Sequence, residues 1–79
     1  MNRLNQLAIN QDGFAFDPMV GESYTLNTTA REAVAEFAKG ATVVQVAQRF
    51  ATDYGITQSD AERDLADLVA RLKQFGLMQ

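Results

Sequence analysis

Apolar residues recur at every second position over the first third of the chain and at helical spacing over the rest. Leu7 and Ile9, Phe14 and Phe16, and Tyr24 and Leu26 form three alternating pairs, the pattern of half-buried strands. Asn10-Gln11-Asp12-Gly13 separates the first two pairs. Asp-Gly is a strong hairpin signal, because both positions of the favoured two-residue turn need positive φ. A two-residue turn at Asp12-Gly13 sets Ile9 opposite Phe16. Pro18 and Gly21 mark the second connection. Pairing Phe16 with Tyr24 keeps all six apolar side chains on one face and leaves Ala8, Ala15, Ser23 and Thr25 on the other. The pattern predicts a three-stranded antiparallel meander over about residues 5–26, with one apolar side.

Three helices follow, over about residues 28–76. The first starts at Asn27 or at Thr29, where Glu32 completes a capping box. Its stripe is Ala30, Val34 and Phe37, and Gly40 ends it. Thr42 with Gln45 opens the second, whose stripe is Val43, Val46, Ala47, Phe50 and Tyr54 and whose stop is Gly55. Ser59 with Glu62 opens the third. There Ala61, Leu65, Leu68, Leu72 and Phe75 face inward and Gly76 ends the helix, with Leu77 placed to close back on Leu72. The expected fold is α+β: the meander packed on three helices. The short turn Gly55-Ile56-Thr57-Gln58 between the last two helices gives it a winged-helix character.

At 79 residues the chain is read as a single domain, 1–79. A hydrophobic fraction of 47% excludes a disordered chain. There is no cysteine and no histidine, which removes thiolate metal sites, disulfides and the commonest general base. No metal and no cofactor is expected. No run approaches the length of a membrane span or a signal peptide, so a cytoplasmic protein is expected, without a membrane partner and acting as a monomer.

No catalytic constellation emerges, and the chain is not read as an enzyme. Asp60, Glu62, Asp64 and Asp67 share the third helix, but acid–base work needs carboxylates whose environments push their pKa values apart. They read as a solvated face, with Asp67 and Arg71 forming an ordinary i,i+4 surface pair. Ser59 lacks the Asp-Ser-Leu context of a carrier-protein attachment site. A winged-helix DNA reader, or another protein-interaction module, is the alternative function. The DNA reading meets a net charge of −3 and a third helix with four carboxylates against Arg63, Arg71 and Lys73, whereas recognition helices offer cations to phosphates. No nucleic-acid partner is expected.

The order of these features resembles the PqqD family, small peptide-binding domains also called RiPP recognition elements. The resemblance rests on FDPMVGESYTLNTTA (16–30), GATVVQVAQRFATDYG (40–55) and DAERDLADLVARLKQFGLM (60–78). Within them stand Leu26-Asn27, Thr29-Ala30, Gly40, Tyr54, Asp64-Leu65 and Gly76-Leu77 in the family's order. Ala33 and Ala35 depart from it, flanking Val34 where larger apolar residues are common. The resemblance implies a three-stranded sheet on three helices. It also implies a peptide chaperone that binds the leader of a ribosomally made precursor and presents it to a modifying enzyme, often a radical SAM protein. The leader would add as a strand beside the third strand, in the groove against the third helix.

The residues themselves offer a reason. In a meander of order 1-2-3 the third strand is an edge with free N–H and C=O groups, and a turn before it and a helix after it hold it open for an extended peptide. The candidate peptide-binding residues are Ser23, Tyr24, Thr25 and Leu26 on that strand. On the third helix they are Asp64, Asp67, Leu68, Arg71 and Phe75, where Leu68 and Phe75 offer an apolar floor and the charged residues a rim. The opposite flank, Glu62, Ala66, Val69 and Lys73, is the less favoured face.

Overall fold

A computed structural model describes residues 3–78; Met1, Asn2 and Gln79 of the expected domain lie outside the described residues. A 3-10 turn at Leu4–Gln6 leads into strands β1 (Ala8–Ile9), β2 (Phe14–Asp17) and β3 (Glu22–Thr25). Helices α1 (Thr28–Ala38), α2 (Val43–Tyr54) and α3 (Gln58–Gln74) follow. The sheet is antiparallel with order β1-β2-β3, so the α+β meander on three helices stands as expected. Its start does not: residues 4–6 form a 3-10 turn, and β1 is only two residues long.

The register differs from the expectation by one residue along β2. Ile9 lies opposite Ala15 rather than Phe16. Tyr24 lies opposite Ala15, and Phe16 opposite Ser23. The cause is the first turn. Asn10 N–H donates to the Phe14 carbonyl at 2.9 Å and Gly13 N–H to the Asn10 carbonyl at 3.2 Å. The loop is therefore the three residues Gln11-Asp12-Gly13, a type I turn closed by a left-handed residue, Gly13 at φ 88°. Asn10 Oδ1 steadies it by accepting from the N–H groups of Asp12 and Phe14, each at 3.0 Å.

A one-residue shift turns a strand over. Phe14 and Phe16 point away from the helices and are 56% and 45% exposed. Ala15 and Asp17 point inward and are 1% and 0% exposed. The outer face thus carries the two phenylalanines with Ala8, Ser23 and Thr25, all exposed. The inner face carries Leu7, Ile9, Tyr24 and Leu26, half-buried, around Ala15 and Asp17.

Asp17 is the one wholly buried charged side chain among the described residues. Arg3 Nη2 donates to its Oδ2 at 3.0 Å, and Met19 N–H donates to its Oδ1 at 3.0 Å. Arg3 also binds the end of α3: its backbone N–H donates to the Leu77 carbonyl at 2.8 Å and its Nε to the Gly76 carbonyl at 3.2 Å. One arginine so ties the chain start, the end of β2 and the end of α3 together.

The helices follow their local signals closely. Asn27, rather than Thr29, caps α1 by accepting from Ala30 N–H at 2.7 Å. Thr42 and Gln45 form the full reciprocal capping box of α2. For α3 the cap is Thr57, which accepts from Asp60 N–H at 3.1 Å, so the helix starts two residues before the Ser59 expectation. Leu77 N–H donates to the Leu72 carbonyl at 2.9 Å and Gly76 N–H to that of Lys73 at 3.0 Å, the paired bonds of a Schellman ending. Leu72 and Leu77 both lie in the core, with Leu4, Ala33, Val34, Phe37, Val46, Ala47, Phe50, Ala61 and Leu65. Tyr54 and Phe75, expected in the core stripes, are 47% and 41% exposed.

Two predictions follow the two constraints on the sheet. A Cβ on Gly13 would meet the Leu26 carbonyl oxygen at 2.2 Å, whereas one on Gly21 would meet nothing within 4 Å. In urea unfolding, Gly13→Ala is expected to cost more than about 2 kcal/mol, combining strain with a backbone clash, and Gly21→Ala about 1–2 kcal/mol from its positive φ alone. Arg3→Met strands the buried carboxylate. Breaking a fully buried pair costs about 3–5 kcal/mol. Because the Arg3 side chain is 31% exposed, water screens part of the pair, and the expected loss is about 2 kcal/mol.

Candidate peptide-binding groove

The hydrogen-bond parity of β3 can be derived from its register. Leu26 N–H donates to the Gly13 carbonyl at 2.7 Å, which makes Gly13 and Leu26 a hydrogen-bonded pair. In an antiparallel ladder such pairs alternate with non-bonded ones. Ala15–Tyr24 and Asp17–Glu22 are therefore bonded pairs, and Phe14–Thr25 and Phe16–Ser23 are not. Tyr24 and Leu26 direct their amide groups toward β2. Ser23 and Thr25 direct theirs to the open edge, each offering one donor and one acceptor.

Beside that edge a groove runs between β3 and α3. One chamber, about 270 Å³, is lined by Tyr24, Thr25, Leu26, Leu72 and Phe75, with Ala15 in its wall. The other, about 480 Å³, lies between the start of α1, the end of α2 and α3, and is lined by Phe50, Tyr54, Ile56, Asp64, Leu65 and Asp67. Asn27, Ala30, Leu68 and Arg71 line both, so the chambers adjoin along α3. The inward parity of β2 matters here. The small Ala15 side chain leaves the first chamber open, where a phenylalanine would fill it.

Of the candidate residues, Tyr24, Thr25, Leu26, Asp64, Asp67, Leu68, Arg71 and Phe75 all meet in this groove. Ser23 contributes backbone only; its side chain borders a shallow depression on the outer face with Phe14 and Phe16. None of Glu62, Ala66, Val69 or Lys73 lines the groove. The Tyr24 ring stacks on Phe75 with centroids 4.5 Å apart and planes 26° from parallel, joining strand to helix at one end. Loss of water contact raises the Tyr24 phenol pKa above its usual 10, and the carboxylates of Asp17 and Glu22 push it further up, so the phenol is neutral at physiological pH. The expected Asp67–Arg71 pair does not form, and among the described residues Asp64, Asp67 and Arg71 enter no ion pair.

Sequence reasoning missed the α1 and α2 side of the groove. Tyr54 is the clearest case. Helical periodicity assigns it to the core, but its hydroxyl donates to Glu32 Oε2, which holds the ring against the N-terminal half of α1. This hydrogen bond raises the Tyr54 pKa. Among the described residues no group of three or more carboxylates is gathered closely enough to hold a metal ion. No helix among them is long and apolar enough to cross a membrane.

Comparison with known proteins assigns the fold to a family. The profile of the family described as Coenzyme PQQ synthesis protein D (PqqD) matches residues 12–78. The chain belongs to the PqqD family. Among solved structures it is similar to "Lasso peptide synthetase B1 complexed with the leader peptide", at 35% identity over 92% of this chain and 87% of that one, with a TM-score of 0.81. No curated protein matches the chain. The PqqD match begins at Asp12, inside the first turn, so it takes in β2, β3 and all three helices, the elements that form the groove.

The ladder parity predicts a pattern of amide hydrogen exchange. Tyr24 and Leu26 amides should be protected, and those of Ser23 and Thr25 should exchange at rates close to those of exposed loops. The reverse pattern would mean that β3 pairs with β2 in the other register.

Proposed function

We propose that this PqqD-family chain is a peptide chaperone. It binds the leader of a ribosomally made precursor by adding it as a fourth strand to β3, and it presents the bound precursor to a modifying enzyme, with radical SAM enzymes the class that the family resemblance points to. The observation that carries the reading is the free edge of β3. Two residues, Ser23 and Thr25, aim four backbone hydrogen-bonding groups at a position flanked by the α3 groove. Main-chain bonds supply affinity in strand addition, and pockets for alternate side chains supply specificity. The leader-bound state of the lasso peptide synthetase B1 relative supports the same ligand class.

In this reading Tyr24, Leu26, Leu68 and Phe75 contact the leader's apolar side chains. Asp64, Asp67 and Arg71 contact its polar ones. The protein does not itself catalyse the modification, needs no cofactor, and works in the cytoplasm where the precursor is made. The family likeness is to peptide binders, and the acid-rich α3 opposes a phosphate backbone.

Thr25→Pro tests the reading. Proline removes the donor at its own position, and the Thr25 N–H faces away from β2, so the β2–β3 ladder survives. The variant is expected to fold with native-like circular dichroism and to bind a cognate leader more weakly by about 0.5–1.5 kcal/mol, as measured by fluorescence anisotropy. Thr25→Val keeps the donor and should bind like the parent. Unchanged affinity in a folded Thr25→Pro chain, with leader-induced amide shifts on β1, would move the site to the opposite edge. Salt-sensitive binding of duplex DNA would favour the winged-helix alternative instead.

A further inference from the structure

The two chambers of the groove differ in charge. Asp64 and Asp67 stand at the wall of the larger one, over a floor that includes Phe50 and Leu65. Neither carboxylate is in an ion pair among the described residues, although other acids of the helical layer are: Asp60 with Arg63, Glu36 and Asp53 with Arg49. The smaller chamber has an apolar and aromatic lining, with the Tyr24–Phe75 stack at its end. Arg71 lies at the junction and lines both. It puts a positive charge between the acidic chamber and the aromatic one, so a cation is favoured at one end of the groove and opposed at the middle.

We infer that the peptide this groove accepts carries a lysine or arginine seated over Asp64 and Asp67 and a bulky apolar side chain seated against Tyr24 and Phe75, about four residues apart along an extended chain. The inference rests on the strand-addition reading above. The spacing comes from geometry. From the midpoint of Asp64 and Asp67 to Phe75 is nine to ten helical residues, or about 14 Å at 1.5 Å per residue. An extended chain covers that distance in about four residues. Four is an even number, so both side chains project to the same, inward side of the added strand. A peptide entered in the reverse direction would set its cation against the aromatic stack and its apolar side chain among the aspartates. The charge order therefore selects the direction of the strand as well as its composition.

Selection from a library of random peptides tests this without knowledge of the natural precursor. Peptides about 12 residues long, enough to span the groove when extended, are displayed and selected on the immobilised 79-residue chain. Enriched sequences are then measured by fluorescence anisotropy and by amide chemical shifts. The expected result is a basic residue four positions from a large apolar one. Replacing both acids, Asp64→Asn with Asp67→Asn, should weaken the selected peptides about three- to tenfold at low salt and reduce the salt dependence of binding. Reversing them, Asp64→Lys with Asp67→Lys, should enrich acidic residues at the same position. Both carboxylates are exposed, and circular dichroism checks that the variants fold. Peptides that shift the Ser23 and Thr25 amides yet show no basic preference would overturn the charge assignment and leave strand addition standing. Selected peptides that leave those two amides unmoved would overturn strand addition, and this inference with it.

Discussion

Asp17 is a carboxylate with no exposed surface, in a domain whose core is small. Burying a charge is tolerable only when its partners are in place. Here they are the Arg3 guanidinium and the Met19 N–H. The consequence reaches well beyond one ion pair. With Asp17 committed inward, alternation along β2 places Ala15 inward and Phe14 and Phe16 outward. The same arginine carries the chain start onto the Gly76-Leu77 turn that ends α3. Gly13 holds the other end of β2 in the same parity, with its backbone against Leu26 and no room for a side chain.

That parity sets up the groove. An inward Ala15 leaves space under the sheet that an inward phenylalanine would occupy. The register that turns β2 over also decides which amides of β3 are spent on β2 and which are left free. Tyr24 and Leu26 pair inward; Ser23 and Thr25 are left at the edge. Edge strands are ordinarily a hazard that proteins cover or charge. This one is short, set between a turn and a capped helix, and flanked by α3. Such an edge suits a partner that supplies its own strand.

In the proposed function, strand addition and side-chain pockets divide the recognition between them. The edge offers hydrogen bonds that any extended peptide can use, so discrimination falls to the groove. There the Tyr24–Phe75 stack, the shared Leu68 and Arg71, and Asp64 and Asp67, which enter no ion pair among the described residues, follow one another along α3. Their order comes from the 3.6-residue repeat of one helix, on which positions 64, 67, 68, 71 and 75 share a face. The outer sheet face, with its two exposed phenylalanines, takes no part in this groove.

The sequence by itself determined what depends on near neighbours. The three helices, the Asn27 and Thr42 caps, the Schellman ending at Gly76-Leu77 and the order of strands are all local choices of hydrogen bonding, backbone freedom and periodicity. The face of α3 that lines the groove was also legible, because a helix turns at a known angle per residue. The start of α3 was less so: Thr57 and Ser59 are equally good caps by type, and the competition between them is settled by the surrounding chain. Tertiary structure alone decided the parity of β2. Alternation along Phe14-Ala15-Phe16-Asp17 says that one pair faces in, and hydrophobicity assigns the phenylalanines to the core. The assignment fails because Asp17 has a partner 14 positions earlier in Arg3, because the turn takes three residues rather than two, and because the space beneath Ala15 is left as groove. A side chain's burial depends on what meets it across the fold, and neither the distant arginine nor the unfilled groove is written in the local pattern.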